Sequence, residues 1–180
     1  MNGDMSSYDP ELKAKGDDGE SRFRAWLDAC GRSYVHVNQS PETFAQLFRP
    51  GKVKRPDFLV LIDSIGLLAV DVKNRRMKGD HFTLPIPSEL KPTLAFERIF
   101  RLPVWYAYLH EPEDGAEGWH WISALRAAEV GEETKDKKGE SYLRLHREHF
   151  EVLQTVDDFG SLFCHVVSNP EKIAGAEAGV

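Results

Sequence analysis

The stretch RPDFLVLIDSIGLLAVDVK, residues 55–73, contains two apolar runs that decide the expected fold. The first run covers residues 57–63, and the second covers residues 67–73. The short segment 64–66 between them suits the tight turn of a β-hairpin. Because both runs are apolar at consecutive positions, both faces of each strand are expected to be buried. The sequence therefore predicts a hairpin of two central strands.

Charged residues stand at one end of each run. Asp57 opens the first run directly after Pro56, and Asp71 and Lys73 close the second run on one face, because strand side chains alternate. In a hairpin the start of the first strand lies beside the end of the second, so Asp57 and Asp71 should converge. Two carboxylates in an apolar setting repel each other and lose hydration, which calls for a shared proton or a bound cation. Oxygen ligands favour Mg²⁺ or Mn²⁺, and Lys73 can position water or stabilise negative charge beside the ion.

Pro56-Asp57 followed, after thirteen residues, by Asp71-Val72-Lys73 resembles the signature of the PD-(D/E)XK nuclease superfamily. Members of that superfamily carry a Glu on a helix before the motif, and Glu20 lies in the first turn of a helix expected over 19–31. Their core of helix, three antiparallel strands, helix and strand is similar to the order expected here. The resemblance implies an α/β fold that is restriction-endonuclease-like, with a mixed central β-sheet flanked by α-helices.

The resemblance also implies an activity, which is Mg²⁺-dependent hydrolysis of DNA phosphodiester bonds in repair, recombination or defence against foreign DNA. Mn²⁺ is expected to substitute for Mg²⁺. Metal binding falls to Asp57, Asp71 and the main-chain carbonyl of Val72. Lys73 would orient or activate the attacking water, and Glu20 would complete the site through a water or a second metal. The oligomeric state stays open between a monomer, a homodimer and a larger protein complex, and cutting both strands of a duplex with one site per chain would favour a two-fold dimer.

Basic residues flank the motif and are expected to contact nucleic-acid phosphates, although the chain as a whole has a formal net charge of −6. These residues are Lys52, Lys54, Arg55, Arg75, Arg76 and Lys78. The alternative is that they are solubilising charges on loops. Glu97 and Arg101, one turn apart on a later helix, are weaker candidates for a polar residue that many superfamily members carry there. For that pair an exposed ion pair is the alternative.

A second function remains open beside the enzyme, which is a catalytically silent nuclease-fold module that binds DNA or a protein within a larger complex. Other metal-dependent phosphate chemistry is a third. The intact motif favours the enzyme, because loss of any of its three side chains would have favoured the silent module.

Length and composition describe one ordinary domain. The chain has 180 residues, of which 41% are hydrophobic, and no apolar run approaches the roughly 20 residues of a membrane span. The amino terminus shows neither a signal nor a transit peptide, so a cytoplasmic location is expected. Cys30 and Cys164 lack the spacing of a zinc site or a disulfide framework. One domain is expected over 18–168, between flexible tails at 1–17 and 169–180.

Periodicity predicts further elements outside the motif hairpin. Pro92 and Pro103 should bound a helix marked by apolar residues between 94 and 102. The run GEETKDKKGE, residues 131–140, is expected to be an exposed loop. The other expected elements are strands at 33–38, 104–109, 119–123, 142–145 and 150–153, a helical turn at 41–48 and a helix at 156–166.

Overall fold

The computed structural model describes residues 10–43, 45, 52–63, 65–110 and 118–164. In these ranges the chain has an α/β fold with two sheets and flanking helices. The helices are α1 (Pro10–Ala29), α2 (Lys91–Phe100), α3 (Ala124–Val130) and α4 (Ser161–Cys164). The strands are β1 (Tyr34–His36), β2 (Phe58–Ile62), β3 (Gly66–Lys73), β4 (His81–Pro85), β5 (Val104–His110), β6 (Gly118–Ser123), β7 (Glu132–Lys135), β8 (Ser141–His146) and β9 (Glu151–Leu153).

The central sheet has six strands in the order β1-β2-β3-β5-β6-β9. All neighbours are antiparallel except β3 and β5, which are parallel, so the sheet is mixed. The predicted hairpin is confirmed, since β2 pairs with β3 and Phe58 faces Val70. The Asp57 N–H extends this pairing by donating to the Val70 carbonyl at 2.9 Å. The register therefore carries Asp57 to the end of β3 that holds Asp71.

The connection between β3 and β5 runs through β4, a π-helical turn at Ile86–Leu90 and α2. Pro92 lies in the first turn of α2, as expected. The helix ends at Phe100, and the next residue, Arg101, adopts a left-handed conformation with φ 56° ahead of Pro103. In the parallel register Asp71 faces Tyr106, and Lys73 faces Tyr108. The strand that carries the motif is thus paired on both sides and lies in the middle of the sheet.

Apolar clusters cover both faces of the central sheet. On one face, Phe23 and Leu27 of α1 pack against Phe58 of β2 and against Trp119 and Trp121 of β6. On the opposite face, α2 and α3 cover β3, β5 and part of β6, together with the second sheet. That sheet is antiparallel, with the order β4-β8-β7. Because β3 is covered on both faces, the carboxylate and ammonium groups near its end lie in surroundings that are largely closed to solvent.

Three expectations about the outline are wrong. Helix α1 begins at Pro10, so residues 10–17, expected in a tail, are helical. Within 131–140, expected to be a loop, Glu132–Lys135 form β7, which pairs with β8 while most of its side chains stay exposed. The helix expected over 156–166 is a 3₁₀ turn at Val156–Gly160 followed by α4. The rest of that helix, residues 1–9 and the carboxyl-terminal tail lie outside the described residues.

None of the described helices is both long enough and apolar enough to cross a membrane.

Candidate metal and catalytic site

Asp57, Asp71 and Lys73 lie together at one end of the β2–β3 hairpin, and all three are buried. Asp57 immediately precedes β2, and its Oδ2 accepts a hydrogen bond from the Val72 N–H at 2.7 Å. Lys73 Nζ lies 2.8 Å from Asp71 Oδ2, as the alternation of β3 predicts. Backbone pairing thus fixes the positions of all three side chains of the sequence motif.

Two further side chains complete a closed ring of alternating charge. Asp71 Oδ2 also contacts Lys54 Nζ at 3.1 Å. Glu89 Oε2, from the π-helical turn, accepts from Lys54 Nζ at 2.5 Å and from Lys73 Nζ. Around the ring, Asp71, Lys54, Glu89 and Lys73 each contact two partners of opposite sign. We refer to these four residues as the charge ring.

The two motif carboxyl groups have opposite pKa shifts. Burial, reinforced by the negative charge of Asp71, holds the pKa of Asp57 well above its usual range. Burial alone would also raise the pKa of Asp71, but the charges of Lys54 and Lys73, together with a hydrogen bond from Asp57, lower it. Asp71 is therefore the more acidic group of the pair, and a proton shared by the two converging carboxyl groups is held more tightly by Asp57.

One oxygen of Asp71 receives no hydrogen bond from an N–H or alcohol group. This atom, Oδ1, is buried and has no such donor among the described residues, whereas Oδ2 binds both lysines. An ionised oxygen left in this way, beside a second carboxyl group, suits a hard cation. The Val72 carbonyl points to the same side as the Val72 N–H that binds Asp57, because both groups of one strand residue face one neighbouring strand. Two carboxylates, one carbonyl and waters are a ligand set that fits Mg²⁺.

The site offers a metal ion only a small number of ligands from the protein. No group of three or more His, Cys, Asp or Glu side chains in the described part of the chain is arranged to hold a metal ion. Sites with one or two carboxylates and several waters are usual for Mg²⁺, whereas Zn²⁺ and Ca²⁺ take more ligands from the protein. The residues present therefore fit Mg²⁺ better than either of these ions.

Glu20 lies close to Asp57 without joining the charge ring. Its Oε2 atom is 2.8 Å from Nε2 of His36 on β1, and the His36 ring stacks on Phe58 with 4.8 Å between centroids. The negative charge of Glu20 is a minor cause of the raised pKa of Asp57. The structure thus brings Glu20 to the edge of the site and holds it through His36, a residue for which no role was predicted.

Two buried tyrosines of β5, Tyr106 and Tyr108, lie beside the charge ring. Lys73 Nζ lies 5.6 Å from the ring centroid of Tyr106, and the Tyr108 hydroxyl donates to the Thr83 carbonyl at 3.4 Å. Burial raises the pKa of both tyrosines, so their hydroxyl groups stay protonated at physiological pH. Their buried rings lower the local dielectric constant around the charge ring, so its ion pairs are stronger than they would be in water.

Two of the six expected phosphate contacts are engaged inside the protein. Lys54 belongs to the charge ring; burial alone would lower its pKa, but Asp71 and Glu89 raise it well above the usual value, so Lys54 is charged. Arg55 Nη1 donates to Thr43 Oγ1 at 2.7 Å and holds the turn before the motif. Burial lowers the pKa of Arg55.

The other four expected contacts, Lys52, Arg75, Arg76 and Lys78, are exposed. Arg75 and Arg76 line a cleft of about 750 Å³ between α1 and the loop after β3. Lys15 and Arg22 of α1 line the same cleft, which makes its walls predominantly basic.

A close approach between α1 and the end of β3 shapes this cleft. Asn74 Nδ2 donates to the Lys15 carbonyl at 2.8 Å and to Asp18 Oδ2 at 3.1 Å. A Cβ atom on Gly19 would lie 2.7 Å from the Asn74 Cβ. Gly19 therefore lets the helix that carries Glu20 sit directly against the strand that carries Asp71.

The weaker candidates Glu97 and Arg101 lie outside the charge ring. Glu97 Oε2 accepts from the Val104 N–H at 3.0 Å and so caps the start of β5. Burial raises the pKa of Glu97. Arg101 is exposed, and its N–H donates to the Glu97 carbonyl at the end of α2. Both residues have structural roles at this turn.

Sequence reasoning missed Glu89 and the inward position of Lys54. Glu89 lies in the Pro-rich stretch LPIPSELKP, where no periodicity distinguishes it from a surface acid. Its one signal is its position two residues before α2, at a point where the chain returns towards the sheet.

The chain matched no protein-family model, and a search of curated proteins returned no match.

Proposed function

We propose that this protein is a Mg²⁺-dependent nuclease that hydrolyses DNA phosphodiester bonds, and that its α/β fold is restriction-endonuclease-like. The observation that carries the proposal is the buried pair Asp57 and Asp71 beside Lys73, with one oxygen of Asp71 that no N–H or alcohol group contacts among the described residues. Such a pair is costly to bury unless a cation or a proton is shared between the two groups. Carboxylates with an adjacent ammonium suit metal-assisted phosphate chemistry.

The order and direction of the elements support the fold assignment. Helix α1 is followed by the antiparallel strands β1, β2 and β3. After β4, which belongs to the second sheet, and the π-helical turn come α2 and β5, which is parallel to β3. This is the core order that the resemblance to PD-(D/E)XK nucleases implies. The central position of β3 also agrees with a site built where an apolar strand ends.

Each residue has a defined task in this proposal. Asp57, Asp71 and the Val72 carbonyl hold the ion, which when bound supplies Lewis-acid polarisation of a water and of a phosphate oxygen. Lys73 directs an N–H group at the attacking water or at the developing negative charge on phosphate. Glu20 lies at the rim, where it can hold a further water. Hydrolysis joins the water oxygen to phosphorus and breaks one phosphorus–oxygen ester bond.

The basic cleft beside the site supports nucleic acid as the substrate. Lys15, Arg22, Arg75 and Arg76 line it, and it opens at the end of β3 that carries Lys73. Asp18, the acid among its lining residues, is hydrogen-bonded to Asn74. A cleft with these walls attracts a phosphate backbone and would guide it past the carboxylates. The acidic total charge of the protein is compatible with this local attraction.

Cleavage assays test the proposal. Plasmid, linear, branched and single-stranded DNA, and RNA, are incubated with Mg²⁺, Mn²⁺ or EDTA. We expect cleavage of DNA with either metal and none with EDTA. Asp71→Asn and Lys73→Met should each lower the rate by at least about 100-fold, since each removes a group that acts on the reacting atoms. Asp63→Asn, an exposed carboxylate just past the other end of β2, is the matched control and should cleave as the wild type does.

Two results would contradict the enzyme. One is cleavage that survives in Asp71→Asn and Lys73→Met, which would indicate a contaminating nuclease. The other is absence of cleavage on every substrate although Mg²⁺ binds.

The second candidate, a catalytically silent DNA-binding or protein-interaction module, is favoured by the charge balance of the site. The two lysines of the charge ring already neutralise Asp71 and Glu89 without a metal. A silent module would bind DNA with the same affinity in EDTA as in Mg²⁺. The nuclease should bind DNA more tightly when Mg²⁺ or non-catalytic Ca²⁺ neutralises the carboxylates, so binding measured with each ion and with EDTA separates the two functions.

A further inference from the structure

Lys54 contacts Asp71, the carboxylate that the proposed function assigns to the metal. Its Nζ atom is 3.1 Å from Asp71 Oδ2 and 2.5 Å from Glu89 Oε2. The backbone of Lys54 is fixed by a hydrogen bond from its N–H to the Pro92 carbonyl at 3.1 Å. The side chain therefore reaches into the charge ring from an anchored backbone.

The two lysines of the charge ring differ in how they can leave it. Lys73 is on the same strand as Asp71, two residues away, and its side chain is 7% exposed. Lys54 comes from the segment before β2, and its side chain is 29% exposed. Lys54 is thus the cation of the ring with a path towards solvent.

Glu89 gives Lys54 a second carboxylate to bind. If Lys54 loses its contact with Asp71, its contact with Glu89 can persist, because the two acceptors belong to different residues on different elements. When Lys54 leaves Asp71, it then loses one ion pair but keeps the other. Its ammonium group is not left buried without a carboxylate partner, which would cost far more.

We propose that Lys54 is a resident cation that competes with Mg²⁺ for Asp71 and thereby sets the metal affinity of the site. Mg²⁺ gains Asp71 when Lys54 withdraws to Glu89 alone. The coupling is reciprocal, so the Lys54–Asp71 contact weakens metal binding by the same factor by which metal weakens the contact. This inference rests on the metal site of the proposed function. It adds that, until a metal binds, the negative charge of Asp71 is neutralised by lysines of the protein itself.

Isothermal titration of Mg²⁺ alone into EDTA-stripped protein, at one fixed pH and without nucleic acid, tests the inference. We expect Lys54→Met to bind Mg²⁺ on the order of 10-fold more tightly than the wild type, a typical size for coupling between two sites. Lys52→Met is the matched control: it removes the same charge from an exposed lysine two residues away and should change the affinity less than about twofold, because solvent and salt screen it.

The outcomes separate this inference from the proposed function. Equal Mg²⁺ affinity in wild type and Lys54→Met, or weaker affinity in the variant, overturns the role of Lys54 and leaves the metal site standing. Binding by Lys54→Met but not by the wild type supports the competition and removes the proposed catalysis by the natural chain. Absence of binding in every variant overturns both.

Lys54→Gln guards against a folding defect, because its amide can still donate to Glu89 without carrying charge. Circular dichroism of each variant, with and without Mg²⁺, reports whether it folds. If both Lys54 variants are unfolded even with Mg²⁺, then Lys54 is a structural cation that metal cannot replace, and the proposal fails.

Discussion

The raised pKa of Asp57 makes the stability of the metal-free protein depend on pH, and Asp57→Asn should remove that dependence. In the folded protein, burial and the charge of Asp71 hold the pKa of Asp57 well above 3.8. In the unfolded chain the carboxyl group returns to its ordinary pKa. Between these two values the unfolded chain has released a proton that the folded protein keeps, so the free energy of unfolding falls as the pH rises.

The size of the effect follows from this proton. Each pH unit within the window lowers the free energy of unfolding of the wild type by up to about 1.4 kcal/mol. Asp57→Asn has no group to ionise, and its amide oxygen can still accept from the Val72 N–H, as Asp57 Oδ2 does at 2.7 Å. Relative to this variant, the wild type should lose about 3–5 °C in melting temperature per pH unit for a domain of this size. The opposite contribution of Asp71, whose pKa is lowered, lies below pH 4 and so outside the measured range.

Thermal unfolding followed by circular dichroism in EDTA, at intervals from pH 4.5 to pH 8, measures the difference. Asp63→Asn is the control, since the Asp63 side chain is 83% exposed and should leave the pH profile of the wild type unchanged. Parallel profiles for wild type and Asp57→Asn would refute the reasoning, because they would mean that Asp57 ionises as readily in the folded protein as in the unfolded chain.

Three further predictions concern packing, substrate and metal. Gly19→Ala should destabilise the protein by about 1–3 kcal/mol through its clash with Asn74, whereas Gly16→Ala, with open space around it, should stabilise α1 by about 0.5–1 kcal/mol. Chemical denaturation measures both changes, and a Gly19→Ala variant as stable as the wild type would contradict the close approach of α1 to Asn74. Arg75→Ala and Arg76→Ala should each weaken DNA binding and lower the slope of log affinity against log salt concentration by about one. Fluorescence anisotropy at several salt concentrations measures this slope, and an unchanged slope would mean that DNA binds elsewhere. Mg²⁺ at about ten times its dissociation constant should stabilise the wild type by about 1.4 kcal/mol, or about 3–5 °C in melting temperature, and no shift at any concentration would argue against a metal site.

The motif hairpin could be predicted because its pairing is local. Two apolar runs and a short turn bring Asp57 to Asp71, and strand alternation puts Lys73 on the same face. Strand β5 and the boundaries of α2 could also be predicted, since Pro92 and Pro103 mark the ends of the helix, but the parallel pairing of β5 with β3 was not predicted. What lies within one hairpin, or next to a proline, needs little knowledge of the rest of the fold.

The charge ring could not be predicted in full, because its members come from three separate segments. The packing of α2 and of the π-helical turn brings Lys54 and Glu89 to Asp71. No local sequence pattern predicts this packing. Strand β7 was missed for a related reason. Its charged side chains do not alternate with apolar ones, so its strand conformation depends on backbone pairing with β8.

The balance of the charge ring also bears on whether folding needs a metal. A zinc finger remains unfolded until its metal arrives, because its ligands have no other partner. Here every member of the ring already has two partners of opposite charge. We therefore expect the newly made chain to fold in metal-free buffer and to withstand chelators during purification. At the proposed site, binding of Mg²⁺ would then be a separate and reversible step that follows folding.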